Sequence, residues 1–297
     1  MFNKFLIFTL LVLITPYITA QNSGKAKDKW DFNMWDKDYF HKSRPTIDLT
    51  YGASKISLKN SGINFQDAGL IEARLGYTYL SKSKYSKSIS RFKSNYFYGT
   101  YISSKINTKK ISGAENKTWR FGFGNSNGYG YILGKNSSLV LYNSNSFTWT
   151  RYDDGFYWIE PFGFGENKAY DEYMKKMGAF DESICFGSST EAGVIIPIAG
   201  FVNLQVQYDR TIVFPRHLFW KHLGSVIIET TVQSAIDGFI HAVMNSSPVA
   251  GPIINFVLKN ALAYGIYELR REKMTWPFNS TEPLMFESFK AGFTFTF

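Results

Sequence analysis

From residue 46 the chain alternates with a period of two. Ile47, Leu49, Tyr51 and Ala53 take turns with Asp48, Thr50 and Gly52. The rhythm returns at 71–79, where Ile71, Ala73, Leu75, Tyr77 and Tyr79 oppose Glu72, Arg74, Gly76 and Thr78. At 91–102, Phe92, Ser94, Tyr96, Tyr98 and Ile102 oppose Arg91, Lys93, Asn95 and Gly99. Shorter runs follow at 119–124, with Arg120 among the intervening residues, and at 202–209, where Val202, Leu204, Val206 and Tyr208 oppose Asn203, Gln205, Gln207 and Asp209. The last run, 288–297, sets Phe289, Ala291, Phe293, Phe295 and Phe297 against Lys290, Gly292, Thr294 and Thr296. A period of two puts alternate side chains on opposite faces of a strand, so each run predicts a strand with one apolar and one polar or small face. Two further strands, near 138–150 and 188–196, are less regular. In the first, Asn143 and Asn145 fall in phase with Leu139 and Leu141, which predicts a bulge, or two short hairpins around Asn143 and 153–155.

Between the last two strands the period changes to that of a helix. Residues 216–244 carry Ile228, Val232, Ala235, Ile236, Phe239 and Val243 on one face and Thr230, Ser234, Asp237 and His241 on the other. Residues 249–272 carry Ile254, Val257, Leu258, Leu262, Ile266 and Leu269 at helical spacing and close on Arg270, Arg271 and Lys273. Ser247-Pro248 and Gly251-Pro252 separate the two helices, and Trp276-Pro277 ends the second. Glu229, Asp237, His241, Lys259 and Asn260 argue against membrane-spanning helices. There is no fixed-period repeat.

Composition changes the picture at the N-terminus. Lys4 precedes an apolar run at 5–14, and 15–20 ends on Ala20. This is the pattern of an export signal cleaved after Ala20, and the run is short of the ~20 residues a spanning helix needs. Residues 21–45 are charged and aperiodic and predict a flexible N-terminal segment. The net charge of +9 is scattered, with no basic stripe, which favours attraction to anionic headgroups or polysaccharide over nucleic acid. Cys185 is the single cysteine, so no internal disulfide is available to an exported chain. Phe, Tyr and Trp make up 18% of residues, which suits a barrel whose outer face meets lipid.

The terminal strand, 289–297 with its C-terminal Phe297, resembles the assembly signal of bacterial outer-membrane β-barrel proteins. In that resemblance Phe293, Phe295 and Phe297 act as the signal, and it implies recognition by the barrel-assembly machinery and residence in the outer membrane. The resulting expectation is an all-β membrane protein: an antiparallel up-and-down barrel of about eight strands over 46–297, interrupted at 214–283 by an extracellular helical insertion. Links after the second, fourth and sixth strands are short, while those after the fifth and seventh are long, as in barrels with periplasmic turns and external loops. The polar phase of the strands predicts a lumen holding Asp48, Glu72, Arg74, Arg91, Lys93, Arg120, Asp209 and Lys290. An eight-stranded barrel is filled by its side chains, so these charges must pair.

Catalytic chemistry has two candidate sets. His222, Ser225 and Glu229, and separately Ser234, Asp237 and His241, share helical faces, and a nucleophile, base and orienting acid are what an outer-membrane lipid hydrolase uses. Four His and one Cys provide no metal-ligand spacing, and the glycine-rich stretch 122–130 has no following helix to cradle a dinucleotide. Neither a metal nor a cofactor is expected. The leading reading is a non-enzymatic barrel whose outer loops bind a surface polymer or a protein, with outer-membrane lipids around it. A lipid-modifying hydrolase and a lateral channel for small apolar molecules are the alternatives.

Overall fold

The computed structural model describes residues 43–59, 65–106, 115–134, 137–155, 175–180, 183–216 and 218–297. The export-signal and most of the N-terminal-segment expectations lie outside them. Eight strands close into an antiparallel, up-and-down barrel: β1 (Arg44–Leu58), β2 (Ala68–Lys82), β3 (Ile89–Ser103), β4 (Glu115–Gly134), β5 (Ser137–Gly155), β6 (Ile184–Ala199), β7 (Val202–Val213) and β8 (Leu284–Thr296). The helical hairpin sits between β7 and β8 as α1 (Phe219–Ser246) and α2 (Gly251–Arg270). Strand β1 opens at Arg44, two residues earlier than the alternation indicated, because Pro45 at a strand start gives up no ladder bond it needs. Its carbonyl accepts from Phe297 N at 3.0 Å, where β8 closes on β1.

Closure is continuous. Strand β8 pairs β1 from Thr46↔Thr296 to Leu58↔Leu284 and pairs β7 from Val202↔Phe295 to Val213↔Leu284. No strand edge is left open, so every ladder is internal. Short connections at 83–88, 135–136 and 200–201 share one end of the barrel, and the longer connections share the other. The two-residue turn between β6 and β7 uses Gly200, whose φ of 51° lies in the left-handed region.

The outer surface carries a belt of exposed apolar side chains. Leu75 (60% exposed), Phe97 (72%) and Phe289 (57%) are typical of it, with Leu49, Ile71 and Phe121 around the circumference. The inner surface is layered. At the long-connection end, Leu58, Leu70, Ile102, Val213, Leu284 and Phe286 form a buried apolar plug, and Met177 and Phe180 fold onto it from the β5–β6 link. A charged layer lies below it. Phe92, Val140, Tyr142 and Ile195 then close the short-turn end.

Strand β5 differs from expectation. It runs unbroken through Asn143 and on to Gly155, and its pairing with β6 has no register shift. Asn143 and Asn145 face outward, and the reason alternation failed there is the hairpin. The hairpin turns back along the outer wall of the barrel. At its base, Phe214 and Leu218 pack with outward Phe186, Ile212 and Met285. At its tip, Ile240 and Met244 pack on Ile89, Tyr85 and Tyr129 at the short-turn end. Tyr131 Oη donates to Val249 O at 2.7 Å, and Tyr85 Oη lies 2.5 Å from His241 Nδ1. With 28 residues at a helical rise, α1 covers about 42 Å, enough to run the height of the barrel. Among the described residues no helix is long and apolar enough to cross a membrane by itself.

Candidate functional site

Strands β2 and β6 lie opposite each other, four strands apart in either direction round the barrel. Arg74 projects inward from β2 and Glu191 from β6, and the two meet across the axis. Arg74 Nη1 donates to Glu191 Oε1 at 2.9 Å, and Nη2 pairs with the other oxygen, a bidentate geometry suited to a guanidinium and a carboxylate. Arg74 Nε also donates to Glu72 Oε1 at 2.7 Å. Lys290, from β8, bridges the same two acids, with Nζ 3.0 Å from Glu72 Oε1 and 2.9 Å from Glu191 Oε2. All four side chains are buried. Two acids and two bases balance, so each carries a compensated charge in a space closed to bulk water.

Neutral side chains complete the layer. Thr100 Oγ1 donates to Glu72 Oε2 at 2.8 Å, and Tyr142 Oη donates to Glu191 Oε1 at 3.0 Å. Gln205 Nε2 donates to Tyr142 Oη and its carbonyl oxygen accepts from Thr294. The buried Arg74 guanidinium lies 4.6 Å from the Tyr96 ring centroid, a cation–π contact. A second group sits one layer nearer the plug. Arg120 Nη1 donates to Thr211 Oγ1 at 3.0 Å and lies 3.6 Å from Asp209 Oδ2, while Ser189 bonds the other Asp209 oxygen. The Arg120 guanidinium also lies 4.6 Å from the Phe286 ring centroid, joining the charged layer to the plug. Between these groups remains a void of about 10 Å³, room for about one water molecule.

Of the eight charged residues assigned to the lumen by phase, Asp48, Glu72, Arg74, Arg120, Asp209 and Lys290 face inward. Arg91 and Lys93 do not. Strand β3 has the opposite phase: Phe92, Ser94, Tyr96, Tyr98 and Thr100 point inward, and Arg91 and Lys93 stand on the outer surface near the short-turn end. The physical reason is that the tyrosines are lumen residues. Tyr96 and Tyr98 bond Ser144 and Ser146 across the interior, at 2.5 and 3.2 Å, and supply rings to Arg74. The sequence reading missed Glu191, the acid on which Arg74, Lys290 and Tyr142 converge. The available signal was the inward series Gly187, Ser189, Glu191 and Gly193 on β6, whose outward neighbours Ser188, Thr190 and Ala192 offer no apolar contrast.

Gly193 shows how tightly this layer is built. A Cβ on it would lie 2.2 Å from Tyr142 Cζ, so the ring lies directly over the glycine on its way to Glu191. Gly193→Val is expected to displace Tyr142 and cost about 1–3 kcal/mol, the usual range for overpacking. Denaturant unfolding in lipid vesicles measures it, and a Tyr142→Phe background should reduce the loss only slightly, because the clash is with the ring.

The structure does not assemble either catalytic set. Ser225 Oγ accepts from Arg270 Nη2 at 3.0 Å, and the same nitrogen donates to Glu229 Oε2 at 2.9 Å. Glu229 is thereby committed to a guanidinium, and His222 is wedged edge-on against Phe186 and Phe214. In the second set Ser234 Oγ donates to Thr230 O at 2.8 Å, Asp237 pairs with Lys259 at 2.9 Å, and His241 faces Tyr85. Three residues on one helix are held by three separate partners: Ser234 bonds its own helix, Asp237 ties α1 to α2, and His241 ties it to the barrel. At the chain terminus, Phe293 and Phe297 are exposed on the outer surface of β8, with Phe295 half-buried on the same face, its ring near Phe201.

No protein-family model matches this chain, and no curated protein matches it. Among solved structures, the crystal structure of Ail, the attachment invasion locus protein of Yersinia pestis, is similar over 86% of this chain and 99% of that chain, at 6% identity and a TM-score of 0.32. A likeness at that level bears on neither ligand nor activity.

Proposed function

We propose that this chain is an outer-membrane β-barrel that spans the bilayer without conducting and acts as a structural or binding module, not as an enzyme. The observation that carries the reading is a closed barrel with an exposed apolar belt outside and a paired-charge layer, plugged at both ends, inside. The belt matches the hydrocarbon a transmembrane barrel needs around it. The join of Arg74 and Glu191 across the lumen supports the non-conducting reading along the axis. The long connections gather at one end, where a surface polymer or protein partner has room to bind. Attraction of outer-membrane lipids to the basic surface and delivery by the barrel-assembly machinery belong to the same reading.

Two measurements test it. The folded protein should fractionate with outer membranes and shift its gel mobility on heating, as closed barrels do when their ladders melt. Reconstituted in a planar bilayer, it should give no stable conductance steps, and nanosiemens-scale steps would overturn the closed-lumen reading. The hydrolase alternative predicts phospholipid or lipid A turnover lost in Ser225→Ala or Ser234→Ala. With Ser225 held by Arg270 and Ser234 bonded to its own helix, no turnover is expected in the unaltered protein.

A further inference from the structure

Four features of the hairpin fit a lipid environment better than water. First, its charges are few and matched. Between His222 and Tyr267 the charged residues are Glu229, Asp237 and Lys259. Glu229 pairs with Arg270 at 2.9 Å, and Asp237 with Lys259 at 2.9 Å, each pair joining α1 to α2. Second, hydroxyls on its free side are satisfied by the helix itself. Thr231 Oγ1 donates to Ile227 O at 2.8 Å and Ser234 Oγ to Thr230 O at 2.8 Å. In water such bonds compete with solvent and gain little, whereas in hydrocarbon an unbonded hydroxyl is costly.

Third, the large side chains on the free side are apolar. Val232, Phe239, Ile253 and Val257 are between 42 and 58% exposed, and two of them belong to each helix. They continue the apolar belt of the barrel at the same height, since the hairpin runs from the long-connection end to the short-turn end. Fourth, the wall beneath is polar where a lipid-facing wall should not be. Asn125, Asn127, Asn143, Asn145 and Thr190 point outward from neighbouring positions on β4, β5 and β6. Gln233, Lys259 and Asn260 of the hairpin meet Asn143, Asn145 and Thr190 of this patch across a void of about 30 Å³, with Asn127 and Asn145 still exposed at its margin. A polar patch midway down a barrel wall is expensive against hydrocarbon and inexpensive beneath polar helix side chains.

We infer that the helical hairpin is an intramembrane element: it lies in the bilayer beside the barrel, turns its polar side to the Asn143 and Thr190 part of the polar patch, and presents its other side to lipid acyl chains. The inference rests on the proposed reading of the barrel as membrane-spanning. It also accounts for why neither helix is apolar enough to cross alone. In this arrangement a helix needs only one lipid-compatible side, and the barrel wall satisfies the other. About 42 Å of α1 is ample for a hydrocarbon layer of about 30 Å. Trp220 at the base, 78% exposed, and Tyr85, Tyr129 and Tyr131 around the tip then fall where aromatic side chains meet headgroups.

The test is collision accessibility of a nitroxide, in a Cys185→Ser background, on protein folded in vesicles and checked by heat-shifted mobility. Labels are placed at Phe239→Cys and Val257→Cys on the hairpin, Phe97→Cys on the barrel belt, and Lys87→Cys on a short turn. The expected result is that labels 239 and 257 match label 97, colliding with dissolved oxygen in preference to a water-soluble nickel complex, while label 87 shows the reverse. If 239 and 257 instead resemble 87 while 97 remains oxygen-accessible, the inference fails and the barrel reading stands. If label 97 itself resembles 87, the membrane reading fails, and the inference with it. If 239 and 257 are shielded from both reagents and broadened by neighbouring spins, the face is covered by a second copy and lipid is the wrong occupant.

Discussion

Glu191→Leu is expected to cost about 3–5 kcal/mol of folding free energy, the range for removing one partner from a buried ion pair. The acid sits at the centre of the lumen, where it receives the Arg74 guanidinium from the opposite wall, Lys290 Nζ and the Tyr142 hydroxyl. Without it, two buried cations share Glu72 alone. The loss therefore comes chiefly from uncompensated charge and only secondarily from missing bonds. That gives the prediction a second arm. Adding Lys290→Met to Glu191→Leu leaves the Glu72–Arg74 pair intact at 2.7 Å and restores the balance of charge. The double variant should be more stable than the single one, as buried pairs replaced together by apolar groups often are. Urea unfolding of the barrel in vesicles gives both values. If the double variant is the less stable by the sum of two independent losses, the four charges do not act as one group.

What could be read from the alternation was the barrel and its closing strand. Over 47–53 of β1 and 289–295 of β8 the outward residues are apolar, Ile47, Leu49 and Tyr51 against Phe289, Ala291 and Phe293, and the inward residues are polar, charged or small, so phase is unambiguous. In β3 it is not. Both faces carry aromatics, Phe97 and Tyr101 outward, Phe92, Tyr96 and Tyr98 inward, and assigning rings to the lipid side inverted the strand. Tyrosine in this lumen serves as a hydrogen-bonding and cation-binding residue, a role that hydrophobicity alone does not distinguish from a lipid contact. Alternation also failed on β5 and β6, and there the cause is tertiary. Asn143 and Thr190 are tolerated at outward positions because a hairpin much later in the chain packs beside them. Nothing local to those strands records that packing. The same cause hid Glu191, whose strand has small residues on both faces. The candidate catalytic residues were misleading for a related reason. Ser, His and acid on one helical face are what a hairpin needs to bond a polar wall and a partner helix, and the pairings of Asp237 with Lys259 and of His241 with Tyr85 use them in that way.

Phe293→Arg is expected to destabilise the folded barrel more than Phe297→Arg. An arginine facing lipid costs about 0–1 kcal/mol near the interface, rising to about 2–4 kcal/mol at the midplane, and Phe293 is the nearer of the two to the midplane. The side chain is 46% exposed on the outer face of β8, between Leu49 of β1 and Leu204 of β7, which are its register partners. Both neighbours are apolar, so an arginine there finds no carboxylate beside it and must extend toward the headgroups. Phe297→Arg lies at the end of the strand, where the same substitution should cost about 0–1 kcal/mol in stability. If the terminal strand is the assembly signal its resemblance implies, this second variant should lose folding yield more than it loses stability. Thr294→Ser keeps the hydroxyl that donates to Gln205 Oε1 at 2.7 Å in the lumen and removes one methyl, so its effect should be small. Equilibrium unfolding in vesicles orders the three. An arginine at 293 as mild as serine at 294 would place that face of β8 in water or against another protein, because only hydrocarbon makes the difference between them large.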